Sequence, residues 1–221
     1  KIDCDIFLID RNPYHTYTPL LYEASTTSKE SANYLEIKEL VTFPIEELVK
    51  NTGIKFIHSE VKKLDLMNGD IHCENGEKLK FDYLALAPGS ETNYFDIPGL
   101  KENSLALKTF IDSVKIRDAI LEKLTEKQII DVVLGGGGSS GVELAGEIKS
   151  WGLKANLKII EAAPTILPGF SERVIRKAEK RLKSLEIEMI TNEAIAKADK
   201  GKVILKSGKE ILYDVLVWAG G

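Results

Sequence analysis

Four consecutive glycines constrain this chain more than any other feature. Gly135 to Gly138 follow the apolar run Val132-Val133-Leu134 and precede Ser139-Ser140-Gly141-Val142-Glu143, so a strand enters a turn without side chains and leaves it as a helix. Gly136, Gly138 and Gly141 fill the spacing G-x-G-x-x-G. The first glycine of such a motif allows the tight turn, the second lets the backbone approach a phosphate, and the third lets the helix pack on the strand. Amides of Gly137, Ser139 and Ser140 would complete a loop gripping a diphosphate at the positive end of the helix dipole. About twenty residues past Gly141, where this motif expects an acid at the tip of the next strand, Glu161 ends the run Leu157-Lys158-Ile159-Ile160. The pattern predicts a dinucleotide site with Glu161 on the ribose.

Composition narrows the remaining classes. With 221 residues the chain can bury a core, and a net charge of −4 argues against a nucleic-acid surface. Hydrophobic residues make up 43%, so nothing reads as disordered. No apolar run is long enough to span a bilayer, and the first residues do not form a signal peptide. Cys4 and Cys73 lack the C-x-x-C spacing of a redox pair or zinc site, and are expected to be inert buried thiols in a reducing compartment. His15, His58 and His72 show no metal-ligand spacing, so no metal site is predicted. Neither a nucleophile elbow with a Ser-His-Asp order nor H-E-x-x-H occurs, which removes the hydrolase readings. Trp151 and Trp218 are expected to pack rather than to stack on a ligand.

Along the chain one plan is read twice. Asp5 to Asp10 predicts a buried parallel strand with Asp10 at its carboxyl tip, followed by a proline- and tyrosine-rich loop to about Leu20. A short helix begins after Pro44 and stops at Gly53; Ile54 to His58 is a strand. Val61–Leu66, Asp70–Glu74 and Lys78–Phe81 form an antiparallel meander turned by Asn68-Gly69 and Asn75-Gly76. Tyr83 to Ala87 is expected to be a buried strand, Ser90 to Leu107 a linker, and Thr109 to Leu124 an amphipathic helix. From Ile129 the order restarts: strand, glycine turn, helix 142–149, strand to Glu161, loop, helix 172–185, a second meander, and the closing strand Val215 to Ala219. The fold expected is α/β, with two dinucleotide-binding (Rossmann-like) units built on parallel sheets and small antiparallel meanders. The first unit is incomplete, because no strand or glycine loop stands ahead of Asp10. Domain boundaries are set at 1–108, a partial dinucleotide-binding domain, and 109–221, an NAD(H)-binding domain.

The charge of Glu161 would repel a 2′-phosphate, and Ala162-Ala163-Pro164 offers no arginine to reverse that choice, so NADH is preferred over NADPH. Asp10 by the same geometry would hold the ribose of a second dinucleotide, with Arg11 near its adenine or phosphate. Glu143 stands one turn into the phosphate helix, either facing the nicotinamide as the catalytic-side carboxylate or simply as an acid favoured by the dipole. Pro19, Leu20 and Leu21 could wall a flat aromatic ring.

With both acidic tips placed, the chain resembles the two-dinucleotide-domain flavoprotein disulfide reductase superfamily, and within it the type II NADH:quinone oxidoreductases. Leu8-Ile9-Asp10-Arg11 with Tyr17-Thr18-Pro19-Leu20-Leu21-Tyr22 is similar to that family's flavin-contacting segment. Ala106-Leu107-Lys108-Thr109 with Asp112 and Ile116-Arg117 is similar to its linker helix. Gly141 to Glu147 resembles its NADH motif, and Val217-Trp218-Ala219-Gly220 the strand that returns to the flavin. The resemblance implies that Asp10, Arg11, Pro19, Leu20, Val61, Pro88 and Gly89 lie on the FAD side. It implies that Gly136, Gly137, Gly138, Ser139, Ser140, Gly141 and Glu161 hold NADH, with Glu143 near the nicotinamide. It also implies hydride transfer from NADH to flavin and electron transfer from flavin to a quinone. The complete protein would be cytoplasmic, peripheral to the inner face of the cell membrane through a segment outside this chain, and compatible with a homodimer.

Two departures accompany the likeness. The chain starts after the strand and glycine loop that seat FAD pyrophosphate and stops before the family's second flavin motif, so it is expected to be a fragment. Ala87-Pro88-Gly89 carries proline where the family usually has threonine, which removes an amide donor and a hydroxyl. Alternative readings are a sulfide:quinone oxidoreductase, a soluble NADH oxidase or ferredoxin reductase, and, from another class, a non-enzymatic NADH-binding regulatory module.

Overall fold

A computed structural model describes residues 4–27 and 33–220. The apolar runs flanking the glycine turn fold as the parallel strands Ile130–Gly135, Ala155–Ile160, Ile187–Ile190 and Val215–Trp218. Together with Leu105–Ala106 they make one five-stranded sheet, in which 130–135 lies between 155–160 and 215–218. Parallel sheets need cover on both faces, and alternate residues show what covers each. Val132, Leu134, Leu157 and Ile159 pack with Ile116, Ile120, Leu144 and Ile148 of the helices Phe110–Glu126 and Ser139–Ser150. Val133, Ile160, Leu216 and Trp218 point the other way, into the antiparallel meander Ile195–Asp199, Lys202–Leu205 and Glu210–Leu212. The long helix starts where a capping box ends its exposed amides: Asp112 N–H donates to Thr109 Oγ1 at 3.2 Å, and Thr109 N–H to Asp112 Oδ2 at 2.9 Å.

Contacts divide the chain into two units, Lys1–Tyr17 with Thr42–Ser90 and Thr18–Val41 with Glu91–Gly221. Residues 18–41 and 91–108 thus belong with the larger unit. The cause is packing, since Leu21, Ala24, Ile37 and Val41 bury themselves against Phe110 of the long helix, and Leu105–Ala106 extends the main sheet. The linker read over Ser90 to Leu107 accordingly contains that strand and the short helix Leu100–Asn103.

In the smaller unit Ile6–Asp10 pairs in parallel with Ile54–His58, and Val61–Asp65, Asp70–Cys73 and Lys78–Lys80 form its meander. Four expectations are corrected here. The strand read as buried over Asp5 to Asp10 leaves Ile6, Phe7 and Leu8 exposed, since among the described residues only one strand pairs with it. Tyr14–Thr16, read as loop, pairs antiparallel with Thr42–Pro44, a partner too distant in sequence for local patterning to reveal. Tyr83 to Ala87 forms no ladder, and Tyr83 is 97% exposed: an apolar run becomes a strand only where another strand lies beside it. Cys4 is exposed rather than buried, while burial, then the charge of Glu77, pushes the Cys73 thiol up. Among the described residues no helix is long and apolar enough to cross a membrane, and no cluster of three or more His, Cys, Asp or Glu could hold a metal.

Candidate functional site: the glycine turn and two strand-end carboxylates

The strand Ile130–Gly135 delivers its backbone into a turn whose glycines answer to different demands. A Cβ on Gly135 would lie 2.5 Å from the Trp218 ring, and one on Gly136 would lie 2.7 Å from Gly220 N. Gly136 also has φ +107, a conformation that L side chains rarely adopt. A Cβ on Gly141 would meet Gly136 O at 2.1 Å, so the helix can pack against the turn only without a side chain. At Gly137 the obstacle is the Glu161 side chain, 3.0 Å away.

Gly138 is different. Its φ of −69 is open to any residue, and an added Cβ would meet nothing within 4 Å. Nothing in the protein requires glycine there, and the side chain it lacks would occupy the open space beyond the turn. No side chain caps the helix Ser139–Ser150 that begins next, which leaves its first N–H groups for a ligand or solvent.

Glu161 borders this space from the end of Ala155–Ile160. Its Oε2 accepts Gly137 N–H at 2.6 Å and its Oε1 accepts Ala163 N–H at 2.7 Å. Two backbone donors, one from its own turn and one from the glycine turn, therefore fix the plane of the carboxylate. The turn is tied further by Gly136 N–H to Ile160 O (2.8 Å) and Leu167 N–H to Gly137 O (2.7 Å). Glu143 lies one turn into the helix, exposed, with partial loss of solvent holding its carboxyl above the ordinary range. Ser139 and Ser140 are exposed at the helix start, and Pro19 and Leu20 lie in the short 3₁₀ turn Thr18–Leu20 of the same unit. Leu21 is 2% exposed, buried against Phe110 and its neighbours rather than offered to a ring.

In the smaller unit Asp10 ends its strand and Asn12 N–H donates to its Oδ1 at 2.7 Å. Beside it is an open depression of about 450 Å³ lined by Arg11, Asn12, His58, Ser59, Glu60, Glu74 and Asn75. His58 Nε2 is 3.1 Å from Arg11 O. Val61 opens the meander just before a bulge, and Pro88 and Gly89 are exposed outside regular structure. The motif alone does not single out Gly135, Trp218 or the Leu167 amide as parts of the turn. The run of four glycines is the signal that could have found the first.

A glycine turn entering a helix, a strand-end acid held beside it, and a second unit of related plan define a dinucleotide-binding α/β protein. The pyridine nucleotide-disulphide oxidoreductase family model matches residues 2–221, and the chain belongs to that family.

Among curated relatives, the type II NADH:quinone oxidoreductase of Staphylococcus haemolyticus is 29% identical over 241 residues, covering 99% of this chain and 58% of that protein. A probable mitochondrial NADH-ubiquinone oxidoreductase of Schizosaccharomyces pombe is 28% identical over 258 residues, covering 98% and 46%. The chain thus spans about half the length of the curated relatives it matches. The structure of NDH2 from Plasmodium falciparum in complex with NADH superposes with a TM-score of 0.83 at 27% identity, covering 98% of this chain and 50% of that one. The sulfide:quinone oxidoreductase of Aquifex aeolicus, at 22% identity, TM-score 0.78 and coverage of 97% and 52%, shares the fold.

Proposed function

We propose that this chain carries the NADH seat, and part of the FAD seat, of a flavin-dependent NADH:quinone oxidoreductase. The observation that carries the reading is Gly138, a glycine that no contact or dihedral of the protein demands, placed between an uncapped helix start and a carboxylate held in fixed orientation. A diphosphate laid over Gly138 would receive the free amides of Ser139 and Ser140 and the helix dipole. Glu161, its outward lone pairs still available, would accept both hydroxyls of the adenosine ribose. A 2′-phosphate in that position would meet a carboxylate instead, which disfavours NADPH.

The residues around Asp10 fit the adenosine end of FAD. Asp10 has one carboxylate oxygen free of hydrogen bonds among the described residues, and the neighbouring depression offers Arg11 and the edge of His58. When bound, FAD would supply a ring that accepts a hydride and releases its electrons to a quinone. The chain's own part is binding and orientation: Pro19 and Leu20 on the flavin side, with Pro88 and Gly89, and Glu143 beside the nicotinamide as a carboxyl raised by partial burial. The names of the relatives support a quinone as acceptor, and we place its reduction at the inner face of the cell membrane. Functionally we assign 1–108 to flavin and 109–221 to NADH.

Steady-state kinetics of the full-length protein with a soluble quinone test this. Glu161→Ala should raise the ratio of kcat/KM for NADPH to that for NADH at least about tenfold, the scale of one lost charged contact. An unchanged ratio would remove Glu161 from the ribose.

A further inference from the structure

The glycine turn, which is to hold a ligand bearing two phosphate charges, has no cation of its own. From Gly135 to Ile148 and from Ile159 to Ser171 the chain has three acids, Glu143, Glu147 and Glu161, and no Lys or Arg. The lysines just outside these runs are engaged elsewhere: Lys149 donates to Ala155 O at 2.8 Å, and Lys158 pairs with Glu188 at 2.7 Å. Positive charge begins with the helix Glu172–Ser184, which leaves the loop tied to the turn. Leu167 N–H donates to Gly137 O at 2.7 Å and Phe170 N–H to Leu167 O at 3.1 Å, and the helix opens two residues further on. It carries Arg173, Arg176, Lys177, Lys180, Arg181 and Lys183, all exposed, against two acids, in a chain whose net charge is −4. At about 100° per residue the six cations share one arc of roughly 160°. Arg176 pairs with Glu172 at 2.9 Å, and among the described residues the other five have no ion-pair partner. Cations at i, i+3 and i+4 repel one another, so this face weakens its own helix.

We infer that the basic face of this helix draws NADH toward the glycine turn by long-range attraction and so raises its association rate. The inference rests on the NADH reading above and adds a kinetic role for residues outside the seat. Attraction between a doubly charged nucleotide and a row of cations acts over the Debye length, about 30 Å at 0.01 M salt and ~8 Å at 0.15 M. Measured along the axis from Ser171, Lys180 lies about 14 Å away and Lys183 about 18 Å. The whole arc therefore acts at low salt, and Arg173, Arg176 and Lys177 carry the effect near physiological salt. Once seated, the nucleotide is held by backbone amides and by Glu161, which the distant charges do not touch. Their contribution falls on the rate of encounter rather than on the rate of release.

The test is anaerobic stopped-flow binding of NADH to the full-length protein, reduced beforehand with dithionite so that no hydride is accepted, and followed by tryptophan-sensitised nicotinamide fluorescence. One variant combines Lys180→Gln, Arg181→Gln and Lys183→Gln, and a second carries Glu at the same three positions; Arg173, Arg176 and the seat stay intact. At ~0.01 M salt the Gln variant should bind NADH about threefold more slowly than the wild type, and the Glu variant about tenfold more slowly, since reversing a charge doubles the logarithmic change. Dissociation rates should stay within about twofold, and by ~0.5 M salt the three association rates should converge, which also shows that the variants are folded. Equal association rates at low salt would overturn the inference and leave the face simply solvated. So would a loss confined to faster dissociation, which would make these cations direct contacts, or a deficit that persists at ~0.5 M salt. Absence of NADH binding by the wild type at both salts would instead overturn the NADH reading, an outcome distinct from binding whose rate ignores these charges.

Discussion

The two acidic strand ends are built alike and finished differently. In the larger unit Ala163 N–H bonds the Glu161 carboxylate at 2.7 Å and Glu193 N–H bonds Glu161 O at 3.1 Å; in the smaller, Asn12 N–H bonds the Asp10 carboxylate at 2.7 Å and Ser59 N–H bonds Asp10 O at 3.0 Å. Each meander that follows shifts register near its first residues, between Val61 and Lys63 and between Ile195 and Lys197. Only Glu161, longer by one methylene, also reaches a glycine turn. The surroundings differ more still. Strand 155–160 is largely buried, whereas Ile6, Phe7 and Leu8 are 50%, 42% and 40% exposed. The strand-end corner is therefore a local structure, set by one carboxylate and the amide two residues on, that does not depend on how well its strand is covered.

The sharpest way to break the account of the larger corner is to fill its glycines one at a time. In Gly141→Ala the new Cβ would sit 2.1 Å from Gly136 O, so helix or turn must move, at a cost of about 2–3 kcal/mol. For a chain of this length that lowers Tm by roughly 4–12 °C, measurable by calorimetry. Gly138→Ala meets no protein atom and should melt within about 2 °C of the parent, yet weaken NADH binding at least about a hundredfold. If Gly138→Ala binds NADH normally, the open space serves no phosphate.

Glu161→Gln tests the extra tie. One Gln oxygen can accept only where the carboxylate oxygens together hold two backbone donors, so either Gly137 N–H or Ala163 N–H loses its partner, costing about 1–2 kcal/mol. Amide exchange should quicken at one of these two residues. Unchanged protection at both would mean that the carboxylate does not hold the turn.

A smaller effect distinguishes the far end of the same sheet. Burial disfavours ionisation of Asp214, but Lys127 and the Asp131 amide outweigh it and leave the carboxyl below its ordinary range. A carboxyl depressed on folding stabilises above its unfolded value, near 3.9, and that stabilisation is lost as pH falls through the folded value. Asp214→Asn should therefore cost about 1 kcal/mol near neutrality and flatten the acid limb of the stability profile. An equally steep limb in the variant would assign acid sensitivity elsewhere.

Much of this was legible in the sequence, for reasons that name the exceptions. Val132 to Leu134 and Leu157 to Ile160 are apolar runs bounded by turn residues, and Thr109 with Asp112 spells a helix start, so local chemistry placed them. The turn at Gly136 and Gly141, with Glu161 at the next strand's end, was legible because that spacing reflects a fixed backbone geometry. Tyr83 to Ala87 misled because periodicity reports what side chains favour, not whether a strand lies alongside. Tyr14–Thr16 was hidden because its partner is Thr42–Pro44, and the membership of Thr18–Val41 because Phe110, which decides it, lies far along the chain. Patterning did not reveal the different tasks of the four glycines either. Gly135 and Gly137 are small for Trp218 and Glu161, and only coordinates bring those side chains to them.

The smallest expected effect bears most directly on the comparison. Asp10→Asn keeps an oxygen for Asn12 N–H, and the other carboxylate oxygen has no partner among the described residues that the change could cost. Stability should move by less than about 0.5 kcal/mol, and exchange at the Asn12 amide should stay as slow as before. Retention of flavin by the full-length protein should nevertheless fall, because a ribose loses a charged acceptor. The two strand ends would then separate cleanly: Glu161 divides its oxygens between the protein's own turn and a ligand, whereas Asp10 leaves one wholly to a ligand. A stability loss above about 1 kcal/mol in Asp10→Asn would show instead that both carboxylates are structural pins, and that the free oxygen is an accident of the corner.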